Sequence, residues 1–267
     1  MLGKLLKYEL KGTARLFFPL YGALLIFAFI NRLLLGISNT NGIEEIQGIP
    51  GAIGMTLFMM TIAAIFAMTF VVMVQRFYKN LLGDEGYLMF TLPVKPWQHI
   101  LTKMIVSIIW LIISGIVTII SVFVMIANME LLWRISHGLK EFIMIFNEKL
   151  GIDGYAFGVE MILLVLIGMA GGVLMVYLSL AIGHLVSRHK LLASIGAFVG
   201  IQTVANAAGM VLSDIISKVF DFETLSLESS IGTLHGLIWV LIIFSLVFCG
   251  IYFFITNYIL KRKLNLE

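Results

Sequence analysis

The chain has 267 residues, 60% of them hydrophobic and only 12% charged, and its formal net charge is +3. A soluble domain of this size carries about a quarter charged residues, so the composition excludes a soluble globular fold. The apolar residues gather into blocks close to the ~20 residues that carry a helix across a bilayer, and the mean hydropathy is +1.05. An all-α integral membrane protein is predicted, and the single cysteine, Cys249, excludes any intrachain disulfide.

Residues 1–15 come first. On a helix advancing about 100° per residue, Lys4, Lys7, Lys11 and Arg15 share a narrow arc, and Leu2, Leu5, Leu6 and Leu10 face the other way. This pattern predicts an amphipathic helix lying in the membrane plane, basic side toward anionic headgroups. Glu9 stands in the leucine face, where a carboxylate is costly unless paired. A local tilt of the helix or a basic partner on this or another subunit both answer that cost. No small-residue cleavage site follows, so the basic start is not expected to be a cleaved signal.

Six spans are expected, at about residues 16–35, 51–74, 104–127, 161–183, 191–212 and 234–260. Arg32 interrupts the first near one end, where it can snorkel to the headgroups. Thirteen cationic side chains fall on one side: Lys4, Lys7, Lys11 and Arg15; Arg76, Lys79, Lys95 and Lys103 in the second loop; Arg188 and Lys190 in the fourth; Lys261, Arg262 and Lys263 in the tail. The other side holds five, Arg134, Lys140, Lys149 and Lys218 with Arg32 at its edge. That bias places both termini in the cytoplasm, and an even number of spans independently requires the termini to share a side.

The first outer loop is short and acidic, with Glu44 and Glu45. The third, residues 128–154, carries Ile135, Leu139, Phe142, Ile143, Phe146 and Leu150 at helical spacing against Lys140, Glu141, Asn147 and Glu148, which predicts a second interfacial helix on the external surface. In residues 213–231, Ile215, Ile216, Val219 and Phe220 among acids predict a short helix dipping back. Neither a tandem repeat nor a low-complexity segment occurs, and residues 1–267 are expected to form one domain. In the fourth and fifth spans Gly168 and Gly172, Gly196 and Gly200, and Ala205 and Gly209 stand four apart, a spacing that lets helices approach closely in lipid, inside the bundle or across a subunit interface.

Chemistry is harder to find. The five histidines, His99, His137, His184, His189 and His235, are scattered, and no metal-ligand spacing links them. No nucleophile motif of the G-x-S-x-G kind is present, and no carboxylate sits in the middle of a span; Glu160 and Asp214 stand at span ends. Gln202 and Asn206, four apart in the fifth span, form the most polar pair inside the membrane and are candidates for interhelical hydrogen bonding or for touching a substrate. Catalysis is not expected, nor a metal site, nor a nucleic-acid partner. A phosphate-cradling G-x-x-x-x-G-K-[ST] loop is absent, so uphill transport must draw on a gradient or on another polypeptide.

The most unusual stretch is "GDEGYLMFTLPVKPWQH", residues 83–99, within the loop 76–103 on the cation-rich side. Glu85 to Leu92 can form a short helix with a largely apolar surface (Tyr87, Leu88, Met89, Phe90, Leu92), and Pro93 stops it. Such a helix must be covered, by the membrane surface or by a groove on a cytoplasmic partner.

These residues resemble the cytoplasmic loop of ABC-2 type permeases, the membrane subunits of ATP-driven exporters. Glu85, Gly86, Leu92, Pro93, Val94 and Lys103 stand where that family has its acid, glycine, Leu-Pro-Val and lysine; Thr102 replaces the usual glycine before the lysine. "LLKYELKGTAR", with Glu9, is similar to the family's opening helix. The resemblance implies a multi-pass subunit of a bacterial cell membrane, forming half of an export pathway and pairing with a second copy or a related permease. It implies a separate cytoplasmic ATPase that binds ATP and magnesium and grips residues 83–99 as a coupling helix, with Arg188 and Lys190 as a second contact and Glu9 bracing the joint between opening helix and coupling helix. The implied cargo is amphipathic or lipophilic, a peptide or drug. Without an ATPase, the remaining expectation is a gradient-driven carrier or channel.

Overall fold

A computed structural model of the chain describes residues 2–40, 49–83, 95–126, 129–149, 151–186, 188–219 and 227–262. Among these residues there are seven α-helices and no strand. They are α1 (Leu2–Thr40), α2 (Ile49–Phe77), α3 (Pro96–Ile126), α4 (Met129–Lys149), α5 (Gly151–His184), α6 (Lys190–Val219) and α7 (Leu227–Arg262). Six of them, all but α4, are long and apolar enough to cross a membrane, and each coincides with one of the six expected spans, the third to within its last residue. The protein is a multi-pass membrane protein.

Two expectations about element ends are corrected. The opening amphipathic segment is not a separate in-plane helix: α1 is one unbroken helix of 39 residues, about 58 Å long. Leu, Lys and Glu favour helix throughout residues 2–15, and nothing there forces a turn. Pro19 removes one backbone hydrogen bond, yet the helix continues through it. At the other corner, residues 213–219 do not dip back as a short helix of their own. They complete α6, held by the Lys218–Asp214 pair at 2.6 Å, one turn apart. Phe220 lies outside the described residues.

The chain divides into two compact units, Met1–Met73 with Ile109–Ile143, and Val74–Ile108 with Met144–Glu267. In the first unit the buried positions recur every three or four residues. Thr13, Phe17, Tyr21, Leu24, Ala28 and Asn31 form the seam of α1, Phe58, Ile65, Thr69 and Val72 that of α2, and Trp110, Ser114, Ser121 and Met125 that of α3. This is the spacing that keeps one stripe of a helix facing its neighbours. Phe17 stacks on Trp110 with ring centroids 4.3 Å apart, and the indole N–H donates to Thr13 Oγ1 at 2.7 Å. Ser114 Oγ bonds Tyr21 OH at 2.8 Å and Thr69 Oγ1 at 3.2 Å. Asn31 donates to the Gly54 carbonyl at 3.0 Å. With no water inside a bilayer, polar groups have to find each other, and these bonds tie α1, α2 and α3 together.

The second unit is built on α5, which packs along both α6 and α7. Residues Val173 to Ser179 are buried without interruption, so this part of α5 is enclosed on every side. On α7, Ile238, Ile242, Tyr252, Thr256 and Ile259 repeat the three-or-four spacing. Cys249 is a free thiol whose Sγ lies 3.5 Å from the Ile167 carbonyl.

A helix is present within 128–154, as expected: α4, Met129–Lys149. Trp133, Ile135, Leu139, Ile143 and Met144 are exposed on it. Trp133 stacks on His137 one turn away, centroids 3.9 Å apart.

Candidate functional site

The helix ends that bear the cation-rich loops are the first candidate. After Phe77 the backbone of α2 widens into a single π-turn, Tyr78–Leu82, closed by the Gly83 amide donating to the Tyr78 carbonyl at 2.8 Å. π-turns are rare and recur at functional sites. The widened turn buries Leu81 and Leu82 side by side, and the next described residue is Lys95. There the chain re-enters helix through a local cap: the Lys95 amide donates to Gln98 Oε1 at 3.3 Å and the Gln98 amide to the Lys95 carbonyl at 2.9 Å. Pro96 takes the first helical position, where a missing N–H costs nothing.

The expected coupling residues Glu85, Gly86, Tyr87, Leu88, Met89, Phe90, Leu92, Pro93 and Val94 lie outside the described residues. Lys103 is described: only 4% exposed, it is buried in its unit, as are His99 and Thr102. The α3 face that carries Lys103 also carries Val106, Ser107 and Trp110, so the lysine points with the buried seam.

Aromatic contacts join these ends to the turn between α5 and α6. Phe77 stacks on Tyr177 with centroids 4.0 Å apart and planes 9° from parallel, and the Tyr177 hydroxyl bonds Ser107 at 3.0 Å. Tyr78, in the π-turn, meets His184 edge-on at 6.0 Å. The second and fourth loops are therefore rooted side by side. Arg188 and Lys190 follow His184 by four and six residues, Arg188 exposed and Lys190 half-buried at the start of α6.

The α5–α6 turn is tight for a specific reason. A Cβ on Gly183 would stand 2.5 Å from the Ser194 amide nitrogen and 2.6 Å from its Cα, distances real side chains do not tolerate. Only glycine permits this approach. The glycines singled out by spacing behave differently: a Cβ on Gly168, Gly172, Gly196, Gly200 or Gly209 would meet nothing within 4 Å. Gly171, by contrast, faces Cys249 Sγ at 3.2 Å, so the expected packing role of the spaced pairs inside the bundle is corrected for these five glycines.

The remaining candidates are placed as follows. Glu9 is half-buried on α1, and its carbonyl accepts from Thr13 Oγ1 at 2.9 Å; the coupling helix it was expected to brace is outside the described residues. Gln202 and Asn206 are exposed on α6, the Gln202 amide donating to Asn206 Oδ1 at 3.1 Å.

One cluster escaped sequence reasoning. Glu160 on α5 is buried, and its carboxylate binds two side chains of α7. Trp239 Nε1–H donates to Oε1 at 2.8 Å, and Nδ1 of His235 faces Oε2 at 2.7 Å. Phe157 meets the His235 ring edge-on at 6.3 Å. These residues are 75 and 79 positions apart, so no spacing could join them. Depth could have: in a six-span plan the fourth and sixth spans begin on the same side, and Glu160 and His235 each stand at that beginning. Among the described residues no three His, Cys, Asp or Glu gather as metal ligands.

Comparison of the chain with protein-family models, with curated proteins and with solved structures found no match.

Proposed function

We propose that this chain is the membrane subunit of an ATP-driven exporter of the ABC-2 type, carrying amphipathic or lipophilic cargo and performing no catalysis itself. The observation that carries the reading is the joint at Tyr78 and His184. It roots the loop 84–94 and the turn that bears Arg188 and Lys190 beside one another. A partner pressing on the first is then in reach of the second. The Phe77–Tyr177–Ser107 contacts give such a push a path of packed rings into α3 and α5. The cation bias puts this end in the cytoplasm, where the ATPase, with its ATP and magnesium, is expected.

The test is copurification. Tagged chain extracted from its own cells is expected to bring down a soluble subunit that hydrolyses ATP, and Leu88→Glu is expected to abolish that association while the chain's melting temperature stays unchanged. An ATPase that binds the variant as tightly as the parent sinks the docking assignment.

A gradient-driven carrier is the second reading, and the Glu160–His235 pair favours it, since paired ionisable side chains within spanning helices, here near the ends of two of them, often mark ion or proton pathways. Reconstituted chain alone, given a proton gradient, separates the two: uptake abolished by Glu160→Gln supports the carrier, and no transport without an added ATPase supports the exporter.

A further inference from the structure

We propose that Glu160, His235 and Trp239 form an acidity-dependent clasp between α5 and α7, tight while His235 carries a proton and loose once it has given the proton up. One carboxylate holds two side chains that stand a single turn apart on the same face of α7. Glu160 is only 8% exposed, so its charge stands largely out of water. The His235 side chain keeps 23% of its surface, and protons can reach the ring from solution. Phe157 meets that ring at 82°, so α5 touches the imidazole through two residues.

Charge balance decides what the proton does. Imidazole is the side chain that ordinarily changes charge between about pH 5 and 8. With both ring nitrogens protonated, Nδ1 and Oε2 make an ion pair, and the buried site has no net charge. Without that proton, two neutral donors remain and the buried carboxylate has no counter-ion. Among the described side chains no other cation is placed to replace it. At this end α6 offers Lys218, exposed and bonded to Asp214 at 2.6 Å. On α5 the other ionisable groups there are Asp153 and Tyr155, both exposed, and on α7 the next after His235 is Cys249, more than three turns on. Lys79 of the π-turn, Lys190 of α6 and Lys261 of α7 stand at the opposite ends of these helices. The contact therefore contributes most at the acid end of that window and weakens as the pH rises. Further along, α5 and α7 approach again at Gly171, where a Cβ would lie 3.2 Å from Cys249 Sγ. That approach is set by packing, so the loosening is confined to the ends beyond it, away from Arg188 and Lys190.

The clasp needs neither an ATPase nor a gradient, and its readout is a distance instead of a flux. The experiment uses the full chain in lipid nanodiscs with Cys249→Ala, which removes the only cysteine, and with spin labels on Ala156→Cys and Gly232→Cys. Both positions are exposed and lie about one turn beyond the clasp. The distance between the labels is measured at about pH 6 and about pH 8.5, either side of the imidazole range. Gly171 is fifteen residues from position 156, about 22 Å along α5, so a tilt of about 10° there moves a label by about 4 Å. A lengthening of that size on going to the higher pH is expected. Glu160→Gln and His235→Gln each keep a neutral hydrogen bond across the contact, and each is expected to remove the response. His189→Gln, exposed beyond the far end of α5, is expected to leave it intact. The proposal is overturned if the labels keep one distance at both pH values or draw together as the pH rises. It is equally overturned if either clasp variant responds as the parent does, or if His189→Gln abolishes the response.

Discussion

At the scale of single residues, the sharpest constraint is Gly183. A methyl group there would press on the backbone of Ser194, which cannot turn aside as a flexible side chain could. Gly183→Ala is expected to destabilise the chain by about 1–3 kcal/mol, the usual cost of overpacking, read as a lower melting temperature in detergent. Gly172→Ala, in open space, is expected to stay within about 0.5 kcal/mol of the parent. A Gly183→Ala chain that melts with the parent would show that the helices part without cost. Glu160 supplies a graded test. Glu160→Gln can still accept from Trp239 and donate to His235 if the ring changes tautomer, so the change is expected to be small. Glu160→Leu strands both α7 partners and is expected to cost about 1–3 kcal/mol. Equal melting temperatures for the two variants would remove the cluster's structural role. Sequence reading singled out neither residue as important. Gly183 was the end of a span rather than a member of any spaced pair, and the partners of Glu160 lie a whole hairpin away.

At the scale of elements, the six spans were legible because hydropathy is a property of long windows, and twenty apolar residues have few other fates in a chain this poor in charge. The ends were not legible. Basic and leucine-rich faces over residues 2–15 fit a helix lying on the membrane and equally one that simply continues a span into the headgroups. What separates them is the buried seam of α1, which already begins at Thr13 with its bond from Trp110. A helix tied to its neighbour at residue 13 has no reason to bend at 15. This is measurable with spin labels at Lys7→Cys and Phe29→Cys in a Cys249→Ala chain. A continuous helix sets the two backbones about 33 Å apart, whereas a right-angle bend at residue 15 brings them to about 24 Å. The π-turn at Tyr78–Leu82 had no signature at all, since it depends on the Gly83 amide choosing a carbonyl five residues back. By contrast α4 was readable, because Ile135, Leu139, Phe142, Ile143 and Phe146 recur at helical spacing on one arc, with Lys140, Glu141, Asn147 and Glu148 off it.

At the scale of the whole molecule, the distribution of cations makes a prediction about sidedness that needs no knowledge of cargo. Single cysteines at Lys95 and Lys261 are expected to react with an impermeant maleimide only after cells are opened, and one at Lys140 is expected to react in intact cells. Reaction of all three from one side would refute the six-span plan. The function itself was approachable only by resemblance in residues 83–99. Folding adds what a linear reading lacks, the neighbourhood of Tyr78 and His184 from two loops about a hundred residues apart in the sequence.

The short link between α5 and α6 has a mechanical consequence. Five residues separate the two helices, and the Gly183–Ser194 approach pins them at that end, leaving Asp153 and Val219 at the far tips. Two stiff rods joined at one end behave as tweezers with a fulcrum. Over a thirty-residue helix of about 45 Å, a 10° opening about that fulcrum would carry a tip by about 8 Å.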